Sequence, residues 1–136
     1  VLHLSQSAYV AMIGHAYDGL PDEACGLLGG AADRIEVFVP TRNEDGSSRT
    51  FTIGKDGWDA ADDVLGSRGL EVVGVMHSHT HTDAYPSPTD VEKAANPLLA
   101  QWHWIIVSLR DDAPVLRSYR IVDGRIAEEP VGIDRR

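Results

Sequence analysis

The chain of 136 residues contains one cysteine, two methionines and two phenylalanines, and no long apolar run. A single cysteine excludes an internal disulfide and a cysteine-rich zinc module, and it fits a reducing, cytoplasmic setting. No apolar stretch approaches the roughly 20 residues that a membrane-spanning helix needs. The first residues carry no signal-peptide pattern, so no membrane association is expected. Positive charge is also scarce: 12 Lys and Arg stand against 21 Asp and Glu, a formal net charge of −9. A phosphate backbone asks for a basic surface, so nucleic acid is not an expected partner. Low-complexity segments, repeats and linkers are absent, and 43% of the residues are hydrophobic. These features describe one soluble globular domain over residues 1–136.

What is abundant is ligand chemistry in one place. The fourteen residues from His77 to Asp90 hold three of the six histidines, two carboxylates and two serines. They follow Val72-Val73-Gly74-Val75-Met76, an apolar run that reads as a buried strand. In an extended chain residues i and i+2 share a face, so the His77 and His79 imidazoles converge on one point. Neutral imidazole is the commonest metal ligand, and two histidines with a carboxylate are a common zinc set. Ser87-Pro88-Thr89-Asp90 places serine at an N-cap, proline at N1 and an acid at N3 of a helix. A short loop then returns Asp90 beside the two histidines. Taken separately, the parts have structural readings. A His-x-His pair is often a polar exit from the core, and Ser87 and Asp90 are fully explained as a helix cap. His81 shares the parity of the pair but falls beyond the strand, behind the ligands or in solvent.

Periodicity predicts a helix over 5–18, a strand over 23–30 with a hairpin partner at 34–39, and a loop at 41–48. A short strand over 49–53, a helix over 55–67 and a central strand over 71–79 follow. The remainder is a helix from Ser87 to about residue 99, kinked or ended near Pro97, a strand at 102–109, and a hairpin of 115–122 and 125–129 about Asp123-Gly124. This order implies an α/β (α+β) fold, a mixed sheet flanked by helices. Locally, Glu23 reads as an unremarkable surface acid, Cys25 as a small core residue and His15 as a helix residue without a role.

The combination is more specific than its parts. His77, Ser78, His79, seven residues, Ser87, two residues and Asp90, with an upstream glutamate at Glu23, resembles the signature of the JAMM (MPN+) zinc metalloproteases. The similarity covers essentially the whole chain. Pro21-Asp22-Glu23-Ala24-Cys25-Gly26, the His77–Thr80 run with Ala84-Tyr85-Pro86-Ser87, and the tail Leu116 to Gly124 look most like the actinobacterial Mec-type peptidases. That resemblance implies the single-domain, three-layer JAMM/MPN fold with its cytidine-deaminase-like layering. It implies one catalytic Zn²⁺ on His77, His79 and Asp90, with Glu23 as general base, Ser87 as oxyanion donor and Ser78 supporting the site by hydrogen bonding. The implied substrate is a ubiquitin-like sulfur-carrier protein with a diglycine C-terminus, from which cysteine is released in cysteine biosynthesis. The resemblance also suggests that the 49–53 strand lies along the cleft and pairs with the carrier's tail.

Other readings remain open at this point. Metallo-β-lactamase-like sites want Asp-His next, and here Ala84 follows Asp83. Amidohydrolases need a barrel of about 250 residues. A zinc deaminase needs a Pro-Cys-x-x-Cys element. A non-catalytic module that binds ubiquitin-like proteins, an isopeptidase and a C-terminal trimming peptidase all share the pattern. For a free carboxylate on the leaving group, Arg49, Arg110 and Arg117 are equal candidates.

Overall fold

The computed structural model describes residues 1–135. Eight strands form one mixed sheet: β1 (Leu2–Leu4), β2 (Cys25–Ala31), β3 (Arg34–Thr41), β4 (Glu71–His79), β5 (His103–Ser108), β6 (Val115–Val122), β7 (Arg125–Glu129) and β8 (Val131–Ile133). Their order across the sheet is β7-β6-β5-β4-β2-β3-β1-β8. The pairs β4–β5, β1–β3 and β1–β8 are parallel, and the others are antiparallel. Three α-helices cover the faces: α1 (Gln6–Asp18), α2 (Lys55–Gly66) and α3 (Pro88–Lys93). None is long and apolar enough to cross a membrane.

Strand alternation divides the core between the two faces. Leu28, Met76, Ile105 and Val107 meet Ala8, Met12 and Ala16 of α1 on one side. On the other, Leu27 meets Ala61 and Leu65 of α2, and Cys25, Val75, Trp104 and Ile106 form a cluster with Phe51, Ala84 and Ala94. His77 and His79 share the parity of Val75, so they open on this second face, where the crossover from β4 to β5 runs. The sheet accepts no side chain at two central glycines. A Cβ on Gly74 would lie 2.2 Å from the His103 carbonyl, and one on Gly26 2.4 Å from the Phe38 ring.

Several expectations need correction. The 49–53 strand does not form; only an isolated bridge joins Ile53 to Asn43. Asn43 Oδ1 takes the Thr52 N–H that a ladder would have used, at 3.1 Å. The helix from Ser87 does end ahead of Pro97, a few residues earlier than expected, at Lys93, and a separate 3-10 turn, Pro97–Leu99, is capped by Asn96. Proline at 97 cannot continue an α-helix, and it pushes Asn96 into extended backbone. Strands β1 and β8 were not anticipated, because three residues are too short to show a period. Glu23 lies just before β2 and is buried rather than exposed. His15 does have a role: its Nε2 lies 2.9 Å from the Cys25 carbonyl, which ties α1 to β2.

At the edge away from β4's histidines, Glu129 joins β7 to β5. Its Oε2 lies 2.7 Å from His103 Nδ1 and accepts from Ser118 Oγ at 2.7 Å. Burial alone would raise its pKa, but the hydrogen bonds from His103 and Ser118 and the nearby Arg120 charge bring it below the ordinary value. A depressed carboxylate stabilises the fold above its unfolded pKa and loses that contribution as pH falls through the folded one. Glu129→Gln is therefore expected to cost on the order of 2 kcal/mol at pH 7 and much less at pH 3. Urea melts at the two pH values measure the difference; an equal loss at both would remove the ionised carboxylate as the cause.

Candidate metal centre

The site is assembled from the C-terminal end of β4 and the first turn of α3. His77 and His79 leave β4 on one face, with their Nε2 atoms 3.1 Å apart. Asp90 Oδ2 lies 3.1 Å from His77 Nε2 and 3.2 Å from His79 Nε2. A capping box fixes the carboxylate: Ser87 Oγ accepts the Asp90 N–H at 3.1 Å, and Asp90 Oδ2 accepts the Ser87 N–H at 2.9 Å. The residues that start the helix thus aim the third donor. Two further contacts orient the imidazoles. His79 Nδ1 lies 2.8 Å from the Asp83 carbonyl, an acceptor only, so Nδ1 carries a proton and Nε2 is the nitrogen turned toward Asp90. The His77 ring stacks on Phe51 at 4.5 Å.

This donor set fits a zinc ion. One ligand atom from each of His77, His79 and Asp90 lies within 4.8 Å of the others, and all three residues are buried. A tetrahedral ion with bonds of about 2.0–2.1 Å spaces its donors roughly 3.3 Å apart, close to the separations found. The charges agree in part: at His79, burial is outweighed by the hydrogen bonds to Asp90 and Asp83, which raise its pKa, so a bound ion would displace a proton from that imidazole. Burial lowers the pKa of His77 and favours its neutral, ligating form. Burial would raise the pKa of Asp90, but hydrogen bonds from His77, His79 and the Ser87 backbone outweigh it and keep the carboxylate ionised.

Glu23 reaches the same centre from a different part of the chain. β2 runs antiparallel to β4 with Cys25 opposite His77, so the residues preceding β2 arrive at the histidines. Ser78, between the two histidines but on the opposite face, holds this junction: its Oγ accepts the Ala24 N–H at 2.8 Å, and its own N–H donates to the Ala24 carbonyl at 2.9 Å. From the other side Asn43 Nδ2 donates to the Glu23 carbonyl at 3.0 Å and to the Thr50 carbonyl at 2.9 Å. The side chain gains no such support. Glu23 Oε1 is buried with no hydrogen-bond partner among the described residues. Burial, with Asp90 nearby and His79 opposing, pushes its pKa up to about 8.

A cleft of about 320 Å³ opens beside Glu23 and His79, with Ser87, Arg49, Thr80 and His81 on its walls. His81 is exposed and is not among the three converging donors. Ser87 Oγ spends one lone pair on its cap, which leaves its hydroxyl hydrogen free to donate into the cleft. Cys25 is buried, and burial raises its thiol pKa, which suits a core residue. Asn43, Phe51 and Asp83 escaped the sequence analysis. Asn43 sits in the polar loop that sequence could only describe as turns, and the other two act through a ring face and a backbone carbonyl.

Residues 5–122 match the family described as prokaryotic homologs of the JAB domain. The chain belongs to that family. This JAB domain is 41% identical over 131 residues to the CysO-cysteine peptidase of Mycobacterium tuberculosis, covering 90% of this chain and 84% of the relative. It is 31% identical over 103 residues to a desampylase of Haloferax volcanii, covering 71% and 74%. A protein from Desulfitobacterium hafniense with a solution structure superposes with a TM-score of 0.89 at 30% identity, over 100% of this chain and 94% of that one.

Two outcomes are expected for this JAB domain. Asn43→Ala leaves the Glu23 and Thr50 carbonyls without their donor and should lower stability by about 1–3 kcal/mol; an unchanged denaturation midpoint would remove Asn43 as the clamp. The second concerns Glu23, an acid whose folded pKa lies above its unfolded one. Folding stability from this group falls as pH rises from 4.5 to about 8. In chelator-treated protein at pH 7.5, Glu23→Gln should therefore be more stable than the parent, on the order of 1–3 kcal/mol. Denaturation that places the variant at or below the parent would contradict the cost assigned to this carboxylate.

Proposed function

We propose that this JAB domain is a zinc-dependent peptidase that cuts the C-terminal amide of a ubiquitin-like sulfur-carrier protein ending in diglycine, releasing cysteine from a carrier–cysteine adduct in the cytoplasm. The observation that carries the reading is the meeting of three ionic or neutral donors with a buried, unpartnered Glu23 carboxylate oxygen at one open cleft. The CysO-cysteine peptidase activity named for the 41% identical relative supports the choice of substrate. A diglycine tail suits a narrow cleft, since glycine lets two backbones approach closely.

His77, His79 and Asp90 would hold the ion, and three protein ligands leave a fourth position open, as catalytic sites require. When bound, Zn²⁺ supplies Lewis-acid charge and lowers the pKa of water from 15.7 to roughly 7. Glu23 takes a proton from the attacking water as its oxygen bonds to the scissile carbonyl carbon. Ser87 Oγ donates to the developing oxyanion. As the C–N bond breaks, Glu23 passes the proton to the leaving amine, and the products are a carrier carboxylate and a free amino acid. Ser78, Asn43 and the Asp83 carbonyl act indirectly in this scheme; they hold the groups that bind or move the proton.

The similarity to a desampylase supports a second reading, hydrolysis of an isopeptide on another ubiquitin-like protein. One experiment separates the two. A carrier ending Gly-Gly-Cys and a carrier joined to a lysine side chain are each incubated with the protein and followed by intact mass. Loss of one cysteine from the first substrate is expected, and cleavage of the second alone would favour the isopeptidase. Glu23→Gln should keep zinc and lose turnover, whereas His77→Ala should lose zinc. Ser87→Ala should lower the rate per bound zinc about 100-fold, and an unchanged rate would remove Ser87 as the oxyanion donor.

A further inference from the structure

The leaving group has its own place in the structure, and one residue there distinguishes the possible substrates. If Glu23 returns its proton to the leaving amine, that amine lies within hydrogen-bond reach of the carboxylate, about 2.6–3.2 Å. The leaving residue therefore enters the cleft that Glu23 lines, not the aromatic groove that Phe51 lines. The two spaces differ in chemistry. The groove is walled by Phe51, Ile53, Trp58, Trp102 and Trp104, and suits the apolar side chains of the carrier. The cleft is walled by Glu23, His79, His81, Ser87 and hydroxyl side chains, and the one arginine on its wall is the exposed Arg49.

Of the three arginines that sequence left as equals, Arg49 alone lines this cleft. Arg110 and Arg117 line a separate cavity and are each paired with an acid, Asp111 at 3.5 Å and Glu128 at 3.0 Å. No ion pair engages Arg49 among the described residues. Its backbone is not free to wander. The Ser48 carbonyl accepts from Thr80 Oγ1 at 3.2 Å, the Thr50 carbonyl accepts from Asn43 Nδ2 at 2.9 Å, and the Arg49 N–H itself donates to Ser47 Oγ at 3.0 Å. The same Asn43 side chain holds the Glu23 carbonyl at 3.0 Å. The base and the guanidinium are thus carried by one hydrogen-bonded frame.

We propose that Arg49 binds the free α-carboxylate of the departing residue, so that the cleft selects a single C-terminal amino acid over a lysine side-chain linkage. In an amino acid the carboxylate lies two bonds from the amine, within about 4 Å of it. Both groups therefore fall in the same small cleft, one at Glu23 and the other at Arg49. An isopeptide-linked lysine would bring an apolar stem in place of that charge and leave the guanidinium without a partner. Arginine suits the task, because its planar fork matches a carboxylate through two parallel hydrogen bonds. The inference rests on the peptidase reading of the site and narrows it to exopeptidase specificity.

The test uses one carrier protein ending Gly-Gly-Cys, prepared as the free acid and as the C-terminal amide. Wild type should cleave the acid about tenfold more efficiently than the amide, mainly through KM, as expected for a charged hydrogen-bonded contact at a solvent-accessible site. Arg49→Gln should abolish that preference by weakening the acid alone, Arg49→Lys should restore part of it, and Arg110→Gln and Arg117→Gln should leave it intact. A readout without turnover comes from titrating both carriers against the zinc-loaded Glu23→Gln protein. The acid should bind about tenfold tighter, and adding Arg49→Gln should remove the difference. Equal loss on acid and amide, or a preference that survives Arg49→Gln, would overturn the assignment to Arg49 while the peptidase stands. Failure of wild type to cut either carrier would overturn the peptidase reading, and with it the inference.

Discussion

The centre depends on keeping the Asp90 carboxylate ionised where little water reaches it. A carboxylate buried to this degree is stable only if hydrogen bonds or opposite charge replace its hydration. Here the Ser87 N–H and the two imidazoles do so, and each of these partners is itself fixed by something else. Ser87 is fixed by the helix start, His79 by the Asp83 carbonyl, and His77 by the Phe51 ring. The geometry that solves the local problem of capping α3 therefore also solves the problem of placing a third donor. This explains why a helix of only six residues suffices at this position. Its length is irrelevant, because its first turn carries the chemistry.

Glu23 presents the opposite balance. Its backbone is held on two sides, by Ser78 through Ala24 and by Asn43, yet one oxygen of its side chain has no partner. Such a group lowers the stability of the fold and is retained where it has work to do. The antiparallel pairing of β2 with β4 supplies the rigidity that this requires, since a loop-borne base could relax away from the site. The neighbouring 43–50 loop has the polar composition of a mobile segment, but its carbonyls are tied to Asn43 and Thr80, so it behaves as a wall.

Two spaces of unlike chemistry lie near the centre: Phe51, which stacks on His77, lines one, and Glu23 and His79 line the other. Aromatic side chains from three sequence regions line one, and hydroxyls and a guanidinium line the other. Specificity at such a site is a difference between chemically unlike walls, and it can change by substitution of a wall residue while the metal donors stay the same.

Much of this was legible in sequence, and for identifiable reasons. The alternation of β4 and the cap at Ser87-Pro88-Thr89-Asp90 are short-range patterns, and short-range patterns are what periodicity and capping rules read. They were enough to bring His77, His79 and Asp90 together. Glu23 was not legible in this way. Only the resemblance to a family promoted it, because the Ser78–Ala24 contact joins residues 54 positions apart and leaves no local trace. The same holds for Asn43, which displaced the expected 49–53 strand by taking its hydrogen bonds, and for β1 and β8, whose three residues are held by partners rather than by propensity. Sequence alone determined the donor types, their spacing and the face on which they emerge, since bond geometry along a strand and a helix start sets these. Tertiary structure alone decided that one oxygen of the buried Glu23 carboxylate has no partner among the described residues and that Arg49, not Arg110 or Arg117, lines the same cleft. Burial and pairing are properties of the neighbours a side chain meets, and those neighbours come from distant parts of the chain.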